Sequence, residues 1–324
     1  SYELPGVFGA KTPDENCADL RTNGWELYLG WNDSFALMGK RFNYTVSATL
    51  GDNKTVFTKF NNPEKNLSNH YEGKVLGEIW GYRVDGLFAS DEEAAEYTSK
   101  INQDAVNERI LTDKVDPYYR AGDLKFRDLD GDNVISKGDD TAYDAGDREI
   151  IGNETPRYMY SFRLGADWNG FDLGIFFQGV GKRDWYPNYL STGFWGPYSR
   201  AFTSFIPENF MDQCWSEENR DGYFPRFRGY QTFAGSQLGV NNDRYLQDAS
   251  YIRLKNLTVG YTLPVLKKVF TKLRVYFTGE NLWYWSPMLK HTKYIDPEAA
   301  GGNGNTGMAY NYSRNFSVGV DITF

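Results

Sequence analysis

The last thirteen residues, 312–324, alternate almost without a break. Phe316, Val318, Val320, Ile322 and Phe324 fall on one face, and Asn315, Ser317, Gly319, Asp321 and Thr323 on the other. A period of two over this length predicts a strand. One apolar face, one polar face and a terminal aromatic residue suit the closing strand of a transmembrane β-barrel, with lipid on one side and a watery lumen on the other.

The alternation recurs upstream in segments close to the ten residues that a tilted membrane strand needs. Apolar rows run through Trp25, Leu27, Leu29 and Trp31, then Phe42, Tyr44, Val46, Ala48 and Leu50. The cleanest is Tyr158, Tyr160, Phe162, Leu164, Ala166 and Trp168. Asn169-Gly170 follows as a type I′ hairpin signal, and Phe171, Leu173, Ile175 and Phe177 resume the row. Leu257, Val259, Tyr261 and Leu263, then Leu273, Val275 and Phe277, complete the series. Arg157, Arg163 and Asp167 sit on the opposite faces, where a dry core would penalise them and an aqueous lumen would not.

Composition agrees with this reading. At a mean hydropathy of -0.60, and without a run of about 18 apolar residues, the chain is not a helical membrane protein. Its length of 324 residues allows one large all-β domain or two smaller ones. Residues 1–6 carry no charged-then-apolar targeting pattern and read as the middle of a longer chain. Cys17 and Cys214 are expected either to bridge two external loops or to stay as two thiols. His70 and His291 are isolated, so no catalytic site is predicted.

Counting back from a periplasmic Phe324 orients the strands. Residues 312–324 descend, 272–284 ascend, 250–263 descend, 171–181 ascend, 156–168 descend, 42–60 ascend and 25–31 descend. This predicts short periplasmic turns at 32–41 and 264–271, and external regions at 61–155, 182–249 and 285–311. The strand-like stretch 74–88 then belongs to an external region. Ser90 to Glu93 forms a capping box that opens a helix to about Lys100. Seven strands with both outer ones descending cannot close a barrel, so residues 1–324 are expected to be the C-terminal part of one.

Charge is concentrated in one place. Residues 90–150 hold 17 Asp and Glu against 8 Lys and Arg, which accounts for the whole net charge of -8. Such a block points to a cation and argues against nucleic acid. Within it, Asp128, Asp130, Asp132, Ser136 and Asp139, with the carbonyl of Val134, have the spacing of a 12-residue calcium loop. Asn133 replaces the usual Gly and Asp139 the usual Glu, and no flanking helix pair is evident. A static structural clasp is therefore expected. The bland alternative is a hydrated acidic turn. Substrate-contact candidates are Trp185, Tyr186, Tyr189, Phe194, Trp195, Tyr198, Trp215 and Tyr223, rings that stack on sugars or else form the core of their own loop.

Gly77-Glu78-Ile79-Trp80-Gly81-Tyr82, Asp85-Gly86-Leu87-Phe88, the run Gly122 to Asp128, Ile151-Gly152-Asn153, Phe176-Phe177-Gln178-Gly179 and Tyr251-Ile252-Arg253-Leu254-Lys255-Asn256-Leu257-Thr258 occur in that order. Together they resemble the C-terminal portion of SusC-type TonB-dependent outer-membrane transporters. The resemblance implies a 22-stranded barrel in the outer membrane of a Gram-negative bacterium, with upstream strands and a plug. It also implies contact with TonB through a region absent from these residues, and a SusD-type surface lipoprotein as lid. The substrates it implies are oligosaccharides or oligopeptides, imported without covalent chemistry. The competing expectation is a secreted, calcium-stabilised β-sandwich that binds glycans.

Overall fold

The structure, a computed structural model, describes residues 17–200, 202–204, 206–264 and 271–324. In chain order its strands are β1 (Ala18–Leu37), β2 (Lys40–Phe60), β3 (Glu78–Tyr82), β4 (Val84–Leu87), β5 (Leu124–Phe126), β6 (Arg148–Asn153), β7 (Arg157–Trp168), β8 (Phe171–Lys182), β9 (Asp184–Trp185), β10 (Cys214–Trp215), β11 (Phe224–Arg226), β12 (Gln247–Asp248), β13 (Tyr251–Leu263), β14 (Lys272–Trp285) and β15 (Asn315–Thr323). Seven of them form one antiparallel sheet in the order β1-β2-β7-β8-β13-β14-β15.

Register carries the alternation from strand to strand. Val46 pairs with Leu164, Leu164 with Ile175, Ile175 with Leu257, and Val275 with Val320, so one face is apolar across the sheet. The other face pairs Asn43 with Asp167, Ser161 with Gln178, Thr258 with Thr278, and Arg274 with Asp321. A bulge at Lys255 inserts one residue between Leu254 and Asn256 and keeps Leu254 and Leu257 on the apolar side.

That apolar face is uncovered. Trp31, Phe171, Phe277, Phe316, Val318 and Phe324 are all exposed, Val318 at 77%. Moving one such side chain out of water is worth about 1.5–3 kcal/mol, and a domain's net stability is only about 5–15 kcal/mol. A dozen exposed rings and branched chains would cancel that stability in water, and hydrocarbon removes the penalty. A β-sandwich would require a second sheet against this face, and none covers it among the described residues. The sandwich expectation is therefore set aside.

One turn differs from expectation. The turn predicted at 32–41 is only Met38 and Gly39, both at positive φ, because β1 and β2 pair along their whole length. Asp33 breaks the apolar row yet stays in register opposite Tyr44, and the Phe35 ring packs tilted against Phe42 with centroids 5.1 Å apart. The Asn169-Gly170 turn has φ of 50° and 91°, as its sequence predicts. The turn at 264–271 lies mostly outside the described residues.

The long connections β2 to β7, β8 to β13 and β14 to β15 all emerge at one end of the sheet. They do not form separate loops. Tyr82 and Phe126 from the first, Trp195 and Phe224 from the second, and Ile295 from the third share one core. Gly122 shows how closely they approach: at φ 85°, a Cβ there would lie 2.3 Å from the Trp215 ring. The stretch 74–88 supplies β3 and β4, outside the large sheet. Ser90 caps helix α1 (Asp91–Thr98) by accepting from Glu93 N at 3.1 Å, and Glu93 returns a bond from Ala89 N at 2.7 Å.

Candidate functional site

The acidic loop folds around its own amides. Asp128 accepts from Gly131 N and Asn133 N, Asp130 from Asp132 N, and Asp132 from Val134 N, all within 3.1 Å. Asn133 takes the positive φ, 66°, that Gly would supply in the usual loop. Ile135 is fully buried and anchors the turn, while Asn102 bonds Asn133 O and Ile135 N.

The structure brings together a different set of carboxylates from the spacing. Asp128 and Asp130 converge with Asp147, one oxygen from each lying within 4.8 Å of the others. Asp132 faces its own loop, Ser136 Oγ accepts from Gly138 N at 3.0 Å, and Asp139 stands apart from the cluster. Asp147 is completely buried and accepts from Leu129 N and Ser136 N at 2.7 Å each. Burial pushes its pKa up, with Asp130 and Asp128 adding to the rise against those two amide bonds. Three carboxylates this close repel by about 3 kcal/mol per pair at an effective dielectric near 20, and a hard divalent cation would reverse that sign. The all-oxygen donor set fits calcium. Sequence reasoning missed Asp147 because it lies well beyond a 12-residue loop; the Gly146 turn before it, at φ 55°, was the available signal.

The eight candidate rings divide. Trp185, Tyr186, Phe194, Trp195 and Tyr198 are buried in the shared loop core and Trp215 is buried as well, so none of these six rings has a free face for a ligand to stack on. Their polar atoms serve the loops themselves: Trp195 Nε1 donates to Asn188 O at 3.1 Å, and Tyr198 Oη to Pro225 O at 2.6 Å. Tyr186 and Tyr189 line a cavity of about 530 Å³ with Lys74, Glu78, Trp80 and Arg148. Phe194 and Tyr223 line a second of about 530 Å³ beside His291. In the first cavity the charges are largely satisfied internally. Arg148 pairs with Asp140 at 2.7 Å, and Glu78 accepts from Trp80 Nε1 at 3.0 Å. Burial lowers the pKa of Lys74, which donates to Asn69 O.

Buried ion pairs clamp the loops to one another and to the sheet. Arg253 on β13, 1% exposed, meets Asp296 and Glu298 and lies 4.7 Å from the Tyr284 ring. Lys255, turned out by the bulge, bonds both Glu298 oxygens at 2.8 Å. The barrel-closing residues Phe316, Val318, Val320, Ile322 and Phe324 line the exposed apolar face of β15. Cys17 is exposed and Cys214 buried, and the two are unbridged.

No protein-family model matches the chain. It is 27% identical over 350 aligned positions to TonB-dependent receptor P3 of Formosa agariphila, covering 99% of this chain and 30% of that protein. It is 25% identical to TonB-dependent receptor P26 of the same organism, over 99% of this chain and 31% of that one. Among solved structures it is similar to the RagAB peptide transporter, with a TM-score of 0.61 and 21% identity over 99% of this chain and 31% of that one. The chain thus spans about 30% of the length of the curated relatives it matches. With a two-faced antiparallel sheet and relatives along nearly its whole length, the chain is similar to part of the TonB-dependent receptors.

Proposed function

We propose that this protein takes part in TonB-dependent import of oligosaccharides or oligopeptides across the outer membrane of a Gram-negative bacterium. A SusD-type surface lipoprotein would close over the joined loop body. The carrying observation is the sheet itself: one continuous face of exposed apolar residues, one polar face, and every long connection at the same end. Lipid would cover the first face, the second would line the passage, and the loop body would face outward. The relatives' names and the peptide transporter among the similar structures support this reading. No covalent step on the substrate is proposed.

In the same reading the acidic loop holds one calcium ion through Asp128, Asp130 and Asp147, with the Asp132 and Ser136 oxygens and the Val134 carbonyl within the same turn. The ion would neutralise the clustered charge and stiffen the loop. An external site of this kind binds at about 10⁻⁴ to 10⁻³ M, which is enough to be filled outside the cell.

The test is nutrient uptake by the producing bacterium with the gene deleted, or with TonB removed. Loss of uptake of a defined oligopeptide or oligosaccharide in both strains is expected. Undiminished uptake of all such nutrients in either strain would overturn the proposal.

A further inference from the structure

The second cavity is built from two segments of opposite charge. Residues 290–294, from the β14 to β15 connection, bring Lys290 and Lys293, while residues 207–223, from the β8 to β13 connection, bring Asp212 and Asp221. All four are exposed. Among the described residues none of their side chains makes a hydrogen bond or an ion pair, unlike the charges of the first cavity. Two unneutralised cations beside two unneutralised anions form a field that an uncharged ligand would leave uncompensated.

The cavity also has aromatic and hydroxyl groups in place. The Tyr223 and His291 rings stack in parallel with centroids 3.5 Å apart, backed from the core by the buried Phe194 and Phe210. Burial, with Lys290 and Arg244 nearby, holds His291 near a pKa of about 4, so its ring is neutral at ordinary pH. Thr292 is only 3% exposed and lines the cavity, yet its Oγ1 has no hydrogen-bond partner. A buried hydroxyl without a partner carries a desolvation cost that a bond to an incoming polar group would relieve.

We infer that this cavity is a binding site for oligopeptides carrying both an acidic and a basic side chain, with Lys290 and Lys293 receiving the carboxylate and Asp212 and Asp221 the cation. A peptide amide group would pair with the Thr292 hydroxyl. A neutral oligosaccharide satisfies the rings and the hydroxyl but leaves both charged segments unmatched. This inference rests on the import reading and narrows its substrate class.

The experiment uses the protein purified from its native outer membrane in detergent. Calorimetry compares an end-blocked peptide Glu-Ala-Phe-Ala-Lys, the same peptide with Gln in place of both charged residues, and maltohexaose. The charged peptide is expected to bind at least tenfold more tightly than the other two. The paired substitution Lys290→Glu with Lys293→Glu should remove that preference, and adding Asp212→Lys with Asp221→Lys should restore it, which also shows that the fold survives. Equal binding of charged and neutral peptides, or a preference indifferent to the reversals, would overturn the site. If binding follows expectation but uptake of the peptide persists without TonB, the site stands and the import reading fails. If uptake needs TonB but binding ignores the reversals, the site falls and import stands.

Discussion

Arg228 Nη2 lies 3.0 Å from Asp123 Oδ2 in an ion pair whose carboxylate is fully buried, and the two residues come from different inter-strand connections. Arg228 also donates from Nε to Asp123 Oδ1, from Nη1 to Asp116 O and from Nη2 to Tyr118 O, so four of its five N–H protons have partners. Burial pushes the Asp123 pKa up and the guanidinium draws it back. Without its partner Asp123 would be a lone charge in a protein core. Arg228→Ala is therefore expected to destabilise the loop body by about 3–5 kcal/mol, while replacing both residues with Leu should recover most of that loss. Hydrogen exchange of 116–126 measures it, and equal protection in wild type and Arg228→Ala would contradict the clamp.

Asp147 and Asp139 separate the two versions of the cation loop. Asp147→Asn is expected to weaken calcium binding by about tenfold or more, since it removes one of the three convergent carboxylates, and Asp139→Asn to change it little. Calcium titration followed by proteolysis of 128–147 reads both. A larger loss from Asp139→Asn would return the site to the spacing read from sequence.

Val318 and Ser317 point to opposite faces of β15. Val318→Arg should cost about 2–4 kcal/mol of barrel stability if it lies near the bilayer midplane, whereas Ser317→Arg on the polar face should cost under about 1 kcal/mol. Urea unfolding in lipid vesicles, followed by heat-modifiable gel mobility, distinguishes them. Equal losses would contradict the assigned facing.

His291 gives the loop body a pH dependence with a defined sign. Its folded pKa of about 4 lies below the ordinary 6.5, so the unfolded chain takes up a proton first as pH falls. Stability is full above about pH 6.5 and declines towards pH 4. The His291→Phe variant, which keeps a ring against Tyr223, should lose that part of the slope. Exchange protection of 287–294 across this range is the measurement, and identical slopes would show that His291 does not titrate this way.

The strands were legible because each carries its own instruction: a period of two needs only neighbouring residues, and a membrane strand must show lipid and lumen alternate side chains. The capping box at Ser90 and the Asn169-Gly170 turn were legible for the same local reason. The length of β1 was not, because Asp33 and Ser34 interrupt the apolar row while backbone pairing with Tyr44 and Asn43 carries the strand onward.

What only the tertiary structure decided lies in the connections. The pairing of Asp123 with Arg228, of Arg253 with Asp296, and the approach of Asp147 to Asp128 all join residues whose separation along the chain bears no relation to strand or helix period. The candidate rings show the same division. Composition revealed that they cluster, but burying Trp195 and Tyr198 while leaving Tyr223 beside a cavity follows from three connections packing into one core. Sequence by itself determined a two-faced sheet, because alternation is a nearest-neighbour property. The cavities, the convergent carboxylates and the clamps depend on contacts between distant segments, and only packing creates those.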